Sequence, residues 1–229
     1  MKAILLFDKK VDTKRLYPRD VRNFIMSNVE EQDTADYLGN KQKKGHEQSE
    51  VVFALPHSNG FEIINYTNNV QHMASLENEI VGKRMYIGNE EVKIDRILWK
   101  EEEYQIPQRE LCMYKTRTPI ILSVNQIEHK IMHNLQKNKT VAPYLKQKII
   151  DMTTMQMKQF FNYTPELDDL EIKIIEIEHI TVSPHKHKGE DVYFQGVYAT
   201  FISNYKLPRF LGYQTGLGYG EIVSKNFGN

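Results

Sequence analysis

The stretch LGYQTGLGYGEI, residues 211–222, places Gly212, Gly216, Gly218 and Gly220 within nine residues of a chain that holds twelve glycines in all. It separates two segments that read as strands. Residues 191–202 (DVYFQGVYATFI) are rich in aromatic and β-branched residues, and residues 221–224 (EIVS) form a short apolar run. A domain that runs strand, helix, strand, strand, helix, strand needs a helix in that gap. Glycine is a poor helix former. The stretch therefore reads as a loop standing where a helix is due.

The segments upstream fit the same succession. Residues 171–182 read as a long strand, joined to 191–202 by SPHKHKGE, residues 183–190. Its alternation slips between Ile174 and Ile175, which predicts a bulge. Pro143 opens a helix with Leu145, Ile149, Met152 and Phe160 on one face, and Met152, Met155 and Met157 are expected as core filler. Ser123 and Gln126 have capping-box spacing and start an earlier helix through Ile127, Ile131 and Leu135. Residues 111–114 and 119–122 read as strands around the basic stretch Lys115-Thr116-Arg117.

The first half repeats the order. Residues 2–7 form a buried strand, and Pro18 then opens a helix through Val21, Phe24 and Ile25. Residues 30–49 are polar without a period. Residues 50–55 (EVVFAL) and 61–66 (FEIINY) flank the turn signal PHSNG. Asn68 or Asn69 caps a helix with Val70, Met73 and Ile80, stopped by Gly82. Residues 83–87 and 92–99 follow as strands. The expected fold is α+β, with tandem ferredoxin-like (βαββαβ) domains at 1–105 and 106–229, the second carrying the C-terminal glycine-rich loop.

Composition narrows the class. The chain has 229 residues, 26% charged and 40% hydrophobic, which is globular composition. Lys plus Arg equals Asp plus Glu at 30 each, so any nucleic-acid surface must come from local clustering. No stretch approaches the roughly 20 apolar residues of a membrane helix. MKAILLF is cut off by Asp8-Lys9-Lys10 without a small-residue cleavage site, so we expect no signal peptide, no membrane partner and a cytoplasmic protein. The single cysteine, Cys112, is expected in the core and excludes a cysteine-based zinc site.

Consecutive amides in a glycine-rich loop can cradle phosphate oxygens. The same glycines also suit a tight turn between strands. Lys206 and Arg209 lie just upstream. The spacing is not the dinucleotide-binding G-x-G-x-x-G pattern, and no cofactor is expected.

VYFQGVYATFISNYKLPRFLGYQTGLGYGEI (192–222), YKTRTPIILSVNQIEHK (114–130) and YPRDVRNFI (17–25) together resemble the RAMP superfamily of CRISPR-associated proteins. Within it the chain is similar to the endoribonucleases that process CRISPR repeats in precursor CRISPR RNA. The resemblance implies CRISPR repeat RNA as partner. It leaves effector-complex subunits and a second copy of the chain open as further partners. It also implies metal-independent cleavage, with no cofactor. The ribose 2'-hydroxyl attacks the adjacent phosphate, which needs a base, an acid and positive charge.

On the resemblance, His46 in NKQKKGHEQS (40–49) takes the acid/base role, with Tyr37, Lys43 and Lys44 as its catalytic company. RNA would be held by Lys41, Arg19, Arg22, Lys206 and Arg209, by the loop glycines Gly212, Gly216, Gly218 and Gly220, and by Lys186 and Lys188 in the basic hairpin tip. Two features depart from the family. Tyr213, Gln214 and Thr215 stand where the family carries Lys and Ser, and no histidine follows Leu38 until His46. The alternative is a non-catalytic RNA-binding RAMP subunit of an effector complex. A small-molecule enzyme needs an apolar pocket with convergent polar groups, and no residue cluster suggests one. His129 and His133 share a helix face without a third metal ligand in view, so no metal is expected.

Overall fold

The computed structural model of the chain describes residues 1–12, 16–39, 49–54, 59–67, 70–101, 108–122, 130–131, 133–134, 141–161, 170–187, 190–213 and 215–225. They fall into two compact units. One contains Met1–Tyr104 with Gly216–Gly218, and the other Gln105–Thr215 with Tyr219–Asn229.

The first unit begins with β1 (Lys2–Phe7), a continuous apolar run because it lies inside the sheet, between two other strands. Then come α1 (Pro18–Asn28), α2 (Gln32–Leu38), β2 (Val51–Phe53), β3 (Gly60–Asn65), α3 (Gln71–Ile80), β4 (Arg84–Ile87) and β5 (Glu90–Lys100). Pro18 occupies the first turn of α1, and Val21 and Ile25 bury one face of it. The sheet order is β2-β3-β1-β5-β4, with every pair antiparallel. Leu5 sits opposite Phe61 on one side and Ile97 on the other. Leu5, Phe53, Phe61, Ile63, Leu76 and Ile80 anchor one core. Helix α2 is a correction to the reading of residues 30–49 as aperiodic. Thr34, Ala35, Tyr37 and Leu38 are buried, which is helical spacing in two turns.

The second unit contains β6 (Arg109–Thr116), β7 (Ile120–Ile121), α4 (Val141–Phe161), β8 (Ile172–His187), β9 (Glu190–Tyr205) and β10 (Ile222–Lys225). Strands β6 and β7 share one edge of β9, with β8 on its other edge and β10 beyond β6. Cys112, Tyr114, Leu145, Ile149 and Phe201 lie in its core, and Met152 and Met157 are buried. The expected register shift falls between Ile174 and Glu176.

A second shift falls between Val182 and His185, at Pro184, which has no amide for the ladder. Pairing nevertheless continues to His187 opposite Glu190. The segment 183–190, expected as a connection, is therefore mostly strand. Its polar residues hide backbone pairing that needs no apolar side chains.

The same arrangement appears in both units. In the first unit β1 lies between β3 and β5 and β2 flanks β3; in the second, β6 lies between β9 and β10 and β8 flanks β9. In the first unit α3 links the third strand to the last hairpin. In the second, residues 206–221 make that link, with one 3-10 turn at Thr215–Leu217. The expected turn at 56–58, the caps Asn68 and Asn69, and the capping box at Ser123 lie outside the described residues.

Candidate functional site

The glycine-rich link is pinned by backbone. Leu211 donates its amide to the Gly220 carbonyl at 2.9 Å, and Gly220 donates to Pro119 at 2.9 Å. Tyr213 donates to Ile121 at 3.1 Å. A Cβ on Gly220, whose φ is +76°, would sit 1.6 Å from the Leu211 carbonyl oxygen. Gly212 lies against Ile120 and Ile121 less tightly, with 3.0 Å from its would-be Cβ to the Ile121 oxygen. Gly216 and Gly218 belong to the first unit. The Gly216 amide donates to Ser49 Oγ at 3.1 Å, and a Cβ on Gly218 would meet the Phe53 carbonyl at 2.5 Å and Pro18 Cγ at 2.6 Å. All four glycines are buried. The amides of Gly216 and Gly220 are satisfied inside the protein and are not presented as a phosphate cradle.

Arg209 has a partner of opposite charge. Its Nε and Nη2 donate to Glu221 Oε1 at 2.9 and 2.7 Å, and Arg117 Nη1 lies 3.6 Å from the same oxygen. The Glu221 side chain is 1% exposed. A carboxylate so buried requires a cation, and two arginines supply it. The strand bridge Phe210↔Glu221 and the bond that the Glu221 amide donates to Thr118 Oγ1 hold the same place. Arg209 thus fastens the beginning of the link to its end. Lys206 is exposed and donates its amide to Gln108.

In the first unit, Arg22 and Tyr37 have separate partners. Arg22 Nη2 donates to the Gly39 carbonyl at 2.9 Å, and burial pushes the guanidinium pKa down from its ordinary value. Arginine keeps its charge regardless. Tyr37, in the last turn of α2, donates its hydroxyl to Asn65 Oδ1 at 2.8 Å and lies 2.6 Å from Thr67 Oγ1. Burial pushes the phenol pKa up, and the Glu50 charge adds to that. Its ring stacks on His72 with centroids 4.8 Å apart. His72 Nδ1 lies 2.8 Å from Thr34 Oγ1, which donates to Glu31 Oε2 at 2.6 Å.

Sequence reasoning missed this group. Thr34 and His72 are 38 positions apart and meet only through the packing of α2 on α3. The spacing of Glu31 and Thr34 at the start of α2 was the available signal.

The remaining candidates separate. Arg19 is half-exposed, 3.8 Å from Asp20. Lys186 is placed opposite Asp191 in the β8–β9 register. His46, Lys41, Lys43, Lys44 and Lys188 lie outside the described residues. Among the described residues no three His, Cys, Asp or Glu side chains are grouped as a metal site, and no helix is long and apolar enough to cross a membrane.

No family model and no curated protein matches the sequence. Among solved structures, the chain is similar to a crystal structure of Cas6b, at 16% identity and a TM-score of 0.68, covering 98% of this chain and 100% of that one. It is similar to the CRISPR RNA processing endoribonuclease Cas6b at 16% identity and 0.59, with the same coverage. It is also similar to a RAMP protein binding different RNA substrates, at 15% identity and 0.55, covering 98% of each chain. The chain therefore has the mixed α/β fold of Cas6 and RAMP structures, in agreement with the resemblance read from residues 192–222.

Proposed function

We propose that the chain is a metal-independent endoribonuclease that cuts CRISPR repeats in precursor CRISPR RNA by attack of the 2'-hydroxyl on the adjacent phosphate. The observation that supports this most is a likeness that runs end to end. A Cas6b fold is matched over 98% of this chain and 100% of that one, so it is not confined to a shared RNA-binding module. We read the two sheets as tandem ferredoxin-like domains, 1–105 and 106–229, with the glycine-rich link replacing the last helix of the second.

In this reading His46 acts as acid/base from segment 40–48, with Lys43 and Lys44 supporting charge on the phosphate. Arg22 holds the Gly39 carbonyl just before that segment, and Tyr37 lies in the last turn of α2. Lys41, Arg19, Lys206, Lys186 and Lys188 are assigned to the RNA backbone. Arg209 and the four glycines shape the link that faces it.

Cleavage of the repeat RNA from the array nearest its gene should persist in excess EDTA, and should stop when the nucleotide before the cut is 2'-deoxy. His46→Ala should slow single-turnover cleavage by roughly 10²- to 10⁴-fold with little change in affinity. Loss of cleavage in EDTA would remove the mechanism. Tight binding without cutting by the wild-type chain would establish the RNA-binding subunit instead, a reading favoured by the lack of a histidine directly after Leu38.

A further inference from the structure

Two tyrosine rings share one ammonium in the second unit. Lys148 Nζ lies 5.3 Å from the centre of the Tyr213 ring and 5.6 Å from that of Tyr144, and it donates to the Tyr213 hydroxyl at 3.3 Å. Tyr144 and Lys148 stand four residues apart on α4 and so share one face of it. Leu145 and Ile149, one step round the helix, are buried in the core, whereas Tyr144, Lys148 and Tyr213 are each partly exposed.

The backbone fixes where Tyr213 sits. Its amide donates to the Ile121 carbonyl in a strand bridge, and Gly212 before it packs on Ile120 and Ile121. A main chain held in this way leaves little ordering to be lost when a ligand settles on the ring. A cation beside exposed rings stabilises a fold only slightly. The same group offers a nucleotide both contacts it uses: a flat apolar face for the base and a positive charge for the phosphate. Base faces are hidden inside a duplex, so such a site takes an unpaired nucleotide. Arg209 is no equivalent. It lies 5.3 Å from the Phe210 ring, but that ring is buried and the guanidinium is bonded to Glu221.

We propose that Tyr213, Tyr144 and Lys148 bind one unpaired nucleotide of the RNA, with its base stacked on the Tyr213 ring and a phosphate paired with Lys148. The inference takes its ligand, RNA, from the reading above. It gives the glycine-rich link a contact made by side chains, where the amides of Gly216 and Gly220 are satisfied inside the protein.

The test is the affinity of the full chain for the repeat RNA, used in its 2'-deoxy form where the wild type cuts. Tyr213→Leu should weaken binding by roughly ten-fold, and Tyr213→Phe, which keeps the stacking face, by no more than about two-fold. Lys148→Gln should weaken it by several-fold and lower the slope of log affinity against log salt by about 0.7, the loss of one phosphate contact on a single strand. Removing bases from the RNA one at a time should reveal an unpaired position whose loss weakens the wild type and leaves Tyr213→Leu unchanged, the mark of a direct contact. Should Tyr213→Leu lower the urea midpoint, Lys148→Gln and its salt slope decide. Unchanged affinity and slope in Lys148→Gln, or the same cost in wild type and folded Tyr213→Leu at every base removed, would overturn the nucleotide site and leave the ribonuclease reading standing. Binding that depends on Tyr213 and Lys148 in a wild type that never cuts would defeat the ribonuclease reading and support the site. A wild type that binds no repeat RNA would defeat both.

Discussion

Gly82 and Gly220 stand at equivalent places in the two units, each near the entry to the closing strands, and both have positive φ, +87° and +76°. Their surroundings differ. A Cβ on Gly82 would meet nothing within 4 Å, whereas one on Gly220 would overlap the Leu211 carbonyl. The first unit crosses to its closing hairpin with helix α3, whose apolar side chains Met73, Leu76 and Ile80 cover the sheet. There the glycine only ends a helix. The second unit crosses with a strand of backbone laid against other backbone, 2.9 Å from amide to carbonyl at both Leu211 and Gly220. Where side chains fill a gap, one glycine at the exit suffices. Where the main chain fills it, glycine is needed at each approach.

The comparison breaks most readily at Gly220. Gly220→Val adds overlap to an unfavourable φ and should destabilise the protein by about 4 kcal/mol or more, read as a fall in the urea midpoint or as failure to fold. A wild-type midpoint would show that the close approach is not needed. The ion pair that fastens the link comes next. Arg209→Met leaves the Glu221 carboxylate buried with Arg117 alone and should cost about 2–3 kcal/mol by the same measure. The double variant Arg209→Met/Glu221→Leu should recover much of that loss. If Arg209→Met instead leaves stability intact and weakens RNA binding, Arg209 serves RNA rather than the link. The smallest effect is expected in the first unit, where Gly82→Ala should cost only about 1 kcal/mol, the backbone penalty without a clash. A loss equal to that at Gly220 would erase the distinction between the two links.

Strong periodic signals were legible in the sequence. Pro18, Val21 and Ile25 mark α1, the run 2–7 marks a central strand, and the slip at Ile174 marks a bulge. Helix α2 was not legible, because seven residues give two turns of pattern and its first three, Gln32, Asp33 and Thr34, are polar. The glycine-rich link was readable as a replacement for a helix. Its reason was not, because the partners of Gly218 are Phe53 and Pro18, far away in the chain. The setting of the charges was hidden for the same cause. Arg209 invites a phosphate when it is read alone, and the bridge Phe210↔Glu221 brings it the carboxylate. Thr34 and Tyr37 meet His72 only in the folded chain.

The most direct test of the account is a cleavage assay of the full chain on its repeat RNA in excess EDTA, with product ends identified. The account predicts one cut in the repeat, a 2',3'-cyclic phosphate on the upstream fragment and a 5'-hydroxyl on the downstream one, and no cut when the nucleotide before the site is 2'-deoxy. A 5'-phosphate on the downstream fragment, or cleavage that returns only when magnesium is added, would contradict it.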